Sequence, residues 1–267
     1  RSGAVETSLI RRFHYPALGP GQMWEAAAAR VERLGGRVFQ GQRVVALRQR
    51  DGRIVEVRSR DEATGATRVW ACEQVFSSLP VRELIAAIEP APPEPARRAA
   101  QGLRYRNFLT VGLLLDRLEL GAGPGRSLAP DHWIYLQDPA LRAGRLQIFN
   151  NWSLHLVADP TKVWIGLEYF TGEDDDLWRA PDALAVERAV QELAAIGALD
   201  PRAVRDAVVL RAPQAYPAYL GTYGEFGGIR QWLDTLENLF PIGRNGTHRY
   251  NNMDHSMLSA MAAVQCA

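Results

Sequence analysis

Apolar residues recur along this chain at two spacings, every three to four residues and every two, and each change of spacing marks an element. Met23, Ala27, Val31 and Leu34 fall on one face, with Gly35-Gly36 as a stop. This predicts a short helix over 23–34, packed by its alanine-rich side against a sheet. Strand-like pieces follow at 43–48, 53–58 and 67–71. Asp51-Gly52 is a two-residue hairpin signal, and 62–65 makes a longer turn. Residues 74–80 read as a short buried strand ended by Pro80. Four prolines between 90 and 95 then read as a connection between domains.

Beyond that bend the pattern becomes aromatic and β-like. Residues 108–115 are almost continuously apolar, and 132–137, 145–152 and 163–170 follow as aromatic-rich strands, so an antiparallel sheet is expected. An amphipathic helix is predicted over 181–196, with Pro181 at its first position and Gly197 as its stop. A strand at 206–211 precedes Ala215-Tyr216-Pro217-Ala218-Tyr219, which leads through four glycines toward a helix at 229–236. The chain closes with a short strand at 238–242, a glycine-bearing loop, and a helix starting near Asn251, its N-cap, with Met253, Met257, Met261 and Val264 as the apolar stripe.

Chemistry enters at that closing loop. Gly243 and Gly246 let the backbone approach a ligand, the free amides of the helix start favour an anion, and Arg244 offers a bidentate grip on phosphate. An ordinary strand-to-helix turn with a surface arginine accounts for the spacing equally well. The acidic run 173–176 reads as a solvated helix approach, because four sequential carboxylates on a loop rarely converge on a metal. The aromatic residues of 133–170 read mostly as core, with a ligand cleft as the alternative.

Composition narrows the classes. The 267 residues have 47% hydrophobic and 23% charged content and a formal net charge of +1, ordinary for a soluble globular protein and too balanced for a nucleic-acid surface. The only cysteines, Cys72 and Cys266, have no metal-ligand spacing, which fits a reduced, cytoplasmic protein. No apolar run reaches the roughly 20 residues of a membrane span. The five histidines form no ligand pair, and no nucleophile elbow or Walker loop occurs, so no metal site or catalytic side chain stands out.

The stretch Gly-Arg-Asn-Gly-Thr-His-Arg-Tyr-Asn-Asn-Met-Asp, 243–254, resembles the C-terminal flavin-contacting motif of UDP-galactopyranose mutases and of the related protoporphyrinogen-oxidase-like and amine-oxidase-like FAD proteins. The order helix, strand, meander and Leu79-Pro80 turn is similar to theirs as well. The resemblance implies an α/β fold: a partial Rossmann-like FAD/NAD(P)-binding domain from 20–80 and 233–267, with an inserted α+β substrate domain over 81–232 built on an antiparallel sheet. Residues 1–19 form a leading segment. It implies FAD as cofactor, faced by Gly243, Arg244, Asn252 and Met253, with Val44 beside the adenine through its main chain. Tyr250 would hold a substrate phosphate, and Tyr216 and Tyr219 would border the substrate cleft. Asn252 stands where the mutases carry an aspartate, which weakens mutase chemistry and leaves the flavin reading intact.

One expected element is missing. A dinucleotide-binding flavoenzyme needs Gly-x-Gly-x-x-Gly between a first strand and a helix. The nearest imitation, Gly121-Ala122-Gly123-Pro124-Gly125, reads as a loop between strands, so the fingerprint is expected upstream of Arg1. The sequence therefore predicts part of an FAD-dependent oxidoreductase that takes hydride from a small-molecule substrate, a nucleotide sugar or an amine. A mutase-like isomerase and a non-catalytic binding module of the same fold are the alternatives.

Overall fold

A computed structural model describes residues 14–121 and 128–267; residues 1–13 and most of the glycine-rich stretch 121–125 lie outside the described part. In chain order the elements are α1 (Gly21–Arg33), β1 (Gln42–Arg50), β2 (Arg53–Asp61), β3 (Thr67–Ala71), β4 (Val75–Ser77), α2 (Val81–Ala87), β5 (Ile88–Glu89), α3 (Glu94–Gln101), β6 (Leu103–Leu115) and β7 (Trp133–Tyr135). Then come β8 (Arg145–Ile148), α4 (Phe149–Trp152), β9 (Val163–Thr171), α5 (Asp176–Arg179), α6 (Asp182–Ala195), β10 (Val204–Gly221), α7 (Phe226–Leu233), β11 (Leu239–Pro241), α8 (Gly243–Gly246) and α9 (Met253–Cys266). The chain has mixed helix and strand content, as the α/β reading expects.

Two compact units divide the chain. Among the described residues, one comprises those within 1–38, 110–169 and 180–210, the other those of 39–109, 170–179 and 211–267, so β6, β9 and β10 each have residues in both. The strands form a sheet of order β3-β2-β1-β5, a second of order β10-β6-β9-β8-β7, and a parallel pair β11-β4.

The second unit is built on the hairpin read from Asp51-Gly52. Both residues take positive φ, 50° and 76°, and β1 pairs antiparallel with β2 around them. Leu47, Ile54, Val81, Leu84, Ile85, Ala99, Leu103, Ile229, Leu233 and Leu239 form one buried cluster beneath the sheet. Asn238, 1% exposed, ties this cluster to β11. Its Oδ1 accepts from Ile54 N at 2.7 Å, and its Nδ2 donates to Ile54 O at 2.7 Å and Glu73 O at 2.8 Å. In the first unit Leu146, Ile148, Ile165, Leu167, Ala185, Ala189 and Leu193 are buried. There Glu192 accepts from Ala143 N at 3.1 Å and from the Tyr169 hydroxyl at 3.3 Å.

Several expectations need correction. The strand predicted over 145–152 stops at Ile148. Asn150 then turns its side chain to the backbone, donating to Lys162 O and accepting from Trp164 N, each at 2.9 Å, so a helical turn replaces the ladder. Pro181 is an N-cap with ψ of 150°, outside the helix it was expected to begin. The strand predicted at 206–211 runs on to Gly221, which puts Tyr216 and Tyr219 on β10. Helix α1 buries none of its residues among the described ones; its stripe was legible, but Met23, Trp24, Val31 and Leu34 are exposed. Residues 90–95 hold the N-cap of α3, Pro93. No described helix is long and apolar enough to cross a membrane.

Candidate functional site

The closing loop leaves β11 through Ile242, whose N–H donates to Ser77 O at 2.9 Å, and turns at Gly243. Gly243 is buried with φ of 77°, a conformation that an L side chain rarely adopts. The single turn α8 ends at Gly246, where a Cβ would lie 2.6 Å from Ser77 O. The loop is thus pressed against the turn after β4, backbone to backbone. Gly246→Ala is expected to lower stability by about 1–3 kcal/mol, read as a reduced urea midpoint; an unchanged midpoint would mean that the two loops separate freely.

Hydrogen bonds fix α9 to this loop. Gly243 N donates to Ser259 Oγ at 2.9 Å, Ser259 Oγ to Ser256 O at 2.7 Å, and Ser256 Oγ to Asn251 Oδ1 at 2.7 Å. The N-cap is Asn252, one residue later than expected, because the Asn251 side chain is engaged by Ser256 and by Arg249 O. Asn252 makes no side-chain cap, so the first amides of this helix are not satisfied by their own N-cap.

Arg244 projects from α8 against two rings. Its guanidinium carbon lies 4.2 Å from the Tyr216 centroid and 4.9 Å from that of Tyr250, and the rings stack 5.9 Å apart at 18°. Such contacts contribute roughly 0.5–2 kcal/mol. Its Nε is buried without a hydrogen-bond partner. Asn245 braces the turn by donating to Gln214 O at 2.9 Å, and Tyr250 N donates to the Tyr219 hydroxyl at 2.8 Å.

His248 is fully buried, at φ of 46°, among Tyr105, Tyr223 and Phe226. Nε2 lies 3.3 Å from Ala218 O, which makes it the N–H donor, and leaves Nδ1 an unpartnered acceptor. Burial holds this imidazole below its ordinary pKa, favouring the neutral ring. Burial also pushes the neighbouring Tyr105 hydroxyl up to about 12. A histidine with a depressed native pKa contributes stability that is complete above the unfolded value. That contribution is lost as pH falls below about 6.5, where the unfolded chain takes up the proton first. The urea midpoint should decline through that range, and His248→Gln should flatten the decline; an equal slope would acquit this ring.

His248, Tyr219, Tyr223, Phe226, Tyr250 and Asn252 are among the residues that line a cavity of about 1100 Å³; Arg244 and Tyr216 are not. A profile of flavin-containing amine oxidoreductases matches residues 14–243. The chain belongs to the flavin-containing amine oxidoreductases. No curated protein matches it. Among solved structures it is similar to a reduced UDP-galactopyranose mutase, with a TM-score of 0.71 at 17% identity, over 93% of this chain and 51% of the mutase. A putative protoporphyrinogen oxidase from Exiguobacterium sp. 255-15 gives 0.59 at 13% identity, over 90% and 51%. An oxidoreductase from Methanosarcina mazei gives 0.58 at 14%, over 92% and 54%. The chain spans about half the length of the solved structures it matches.

Membership in the amine oxidoreductases implies a flavin, and the residues present suit one. A glycine loop at positive φ, a helix start without a side-chain cap and a buried guanidinium nitrogen without a partner are groups that an anion can engage. Gly243 is in that loop and Asn252 and Met253 open α9, with Met253 43% exposed. Arg244, Tyr216 and Tyr250 come together, and Tyr219 supports the Tyr250 backbone. Val44 is half-buried on β1 against the hydrophobic cluster. Sequence reasoning passed over His248, Tyr223 and Phe226, whose grouping depends on contacts between β10, α7 and the closing loop. It also passed over Phe108, which meets Tyr216 at 5.9 Å; Phe170, at 5.7 Å from Tyr216, is one of the aromatic residues read mostly as core with a cleft as the alternative.

Proposed function

We propose that the protein is an FAD-dependent oxidoreductase acting on a small-molecule substrate. The observation that carries this reading is the Arg244 guanidinium, held against Tyr216 and Tyr250 with an unpartnered buried nitrogen, in a chain of the amine oxidoreductase family. Gly243, Arg244, Asn252 and Met253 would hold the cofactor, and the Val44 main chain would meet its adenine. When bound, the flavin supplies the hydride acceptor. The protein's own work is then positional. Tyr216 and Tyr250 present ring faces and hydroxyls to the substrate, and Tyr219 fixes Tyr250 through its backbone. The aromatic wall excludes water. Segments 20–80 and 233–267 are proposed as the cofactor side and 81–232 as the substrate side.

Protein produced from the complete gene is expected to carry flavin absorbance or to acquire it with FAD; a preparation that stays colourless after reconstitution would sink the reading. The resemblance of the fold to the mutase favours a second reading, a flavin-dependent isomerase of a nucleotide sugar. Asn252 in place of the aspartate argues against it, and turnover of a UDP-sugar under reducing conditions decides.

A further inference from the structure

The stacked pair of Tyr216 and Tyr250 belongs to a larger aromatic group. Tyr216 meets Phe108 at 5.9 Å and Phe170 at 5.7 Å, and those two meet at 5.5 Å, so three rings form a compact cluster that the Tyr216–Tyr250 pair joins to Arg244. Phe170 is 40% exposed and Phe108 is half-buried, so the cluster has an open side. On β6 the residues alternate, with Leu103, Tyr105 and Asn107 buried and Arg104 and Arg106 exposed. Period-two geometry therefore puts Arg104, Arg106 and Phe108 on the same side. Past Phe170 a second cavity of about 800 Å³ opens, lined by Arg104, Arg106, Phe170, Ala218, Leu220 and the loop 172–175.

The charges of this second cavity decide what it takes. Glu173 pairs with Arg82 at 2.5 Å, Asp174 with Arg179 at 2.5 Å, and Asp175 Oδ1 accepts from Leu177 N at 2.9 Å. The acidic wall is thus engaged within the protein. Arg104 and Arg106 have no hydrogen-bond or ion-pair partner among the described residues. A cation would compete with Arg82 and Arg179 for Glu173 and Asp174, whereas an anion would find, beside an apolar cluster, two guanidinium groups without a partner among the described residues.

We infer that this face is a subsite for the far end of the substrate. An apolar body packs against the exposed side of the Tyr216, Phe108 and Phe170 cluster, and a carboxylate or phosphate at its end is taken by Arg104 and Arg106. The word substrate rests on the flavoenzyme reading; the binding of an elongated, apolar anion does not. The ligand class is an amphipathic molecule with an apolar body and one acidic end.

The test uses the whole protein without added flavin and three fluorescent probes, 1-pyrenebutyrate, its neutral counterpart 1-pyrenebutanol and a pyrene alkyl phosphate. Saturable binding of 1-pyrenebutyrate is expected. Arg104→Ala combined with Arg106→Ala should weaken it about tenfold and change 1-pyrenebutanol less than twofold. Phe170→Ala should weaken the acid and the alcohol alike. Comparison of the butyrate with the phosphate tells which anion the arginines prefer. Equal losses for the acid and the alcohol in the arginine variant would overturn the proposal, as would absence of binding to the unaltered protein. Self-association of the chain that disappears with those two arginines would also overturn it, by making the face a contact between copies. Arg104 and Arg106 are exposed, so the variants should fold, and an unchanged thermal midpoint checks this. A protein that discriminates the probes yet takes up no FAD would keep the subsite and remove the flavoenzyme reading.

Discussion

Arg244→Ala should lower FAD affinity about tenfold to a hundredfold while leaving the thermal midpoint within a few degrees of the unaltered protein. The guanidinium lies against Tyr216 and Tyr250, and its Nε is buried without a partner, so its hydrogen-bonding capacity within the protein is unspent. A charge-assisted hydrogen bond contributes about 1.5–3 kcal/mol, which corresponds to that range of affinity. Arg244→Lys keeps the charge but loses the planar fork and the ring contacts, so it should fall between the two. Titration of FAD into the three proteins, followed by flavin fluorescence, separates the cases. If the alanine variant bound FAD as well as the arginine, Arg244 would belong to the tyrosine pair alone and the cradle would lie elsewhere.

The residues that frame this prediction differ in how they could be read from sequence. The loop was legible because glycine, arginine and a helix start occur in one short run, and each residue type has a local physical reason to be there. Asp51-Gly52 was legible for the same reason, and both take the positive φ that a two-residue hairpin needs. The Arg244 contact with Tyr216 was not, because Tyr216 is reached through β10, whose extent was underestimated at its proline residues. Pro213 and Pro217 interrupt the propensity pattern, yet the strand runs through them. His248 was invisible for another reason. A lone histidine carries no periodic signal, and its burial follows from three aromatic neighbours on different elements. Helix α9 shows the reverse failure. Met253, Met257, Met261 and Val264 make one apolar stripe, but α9 has no buried residue among those described, and Met261 and Val264 are 61% and 64% exposed. Periodicity reports which side of a helix seeks a partner, and says nothing of where that partner is.

Asn238→Ala should be among the most destabilising single substitutions in the second unit, by about 3–4 kcal/mol, although Asn238 touches no proposed ligand. Its carboxamide satisfies both the N–H and the C=O of Ile54 and the C=O of Glu73, at 2.7–2.8 Å. Asn238 is 1% exposed and the Ile54 side chain fully buried, so water cannot readily replace the lost bonds, and each abandoned polar group costs about 1–3 kcal/mol. At roughly 2–4 °C per kcal/mol for a chain of this size, the thermal midpoint should drop by about 10 °C. Asn238→Asp sharpens the test. It keeps an acceptor for Ile54 N but turns an oxygen toward two carbonyls that now receive an N–H. Burial and that repulsion disfavour its ionised form, so its folded-state pKa should rise above the unfolded value. The penalty is therefore present at neutral pH and should shrink as pH falls through the raised folded value toward the unfolded one, because the protonated acid regains a donor. A pH-independent loss in the aspartate variant would mean that the site admits water. Since β11 delivers the chain into Gly243 and Arg244, loosening Asn238 should also weaken FAD binding in proportion to stability. An effect on FAD without any change in midpoint would instead require Asn238 to act on the cofactor directly.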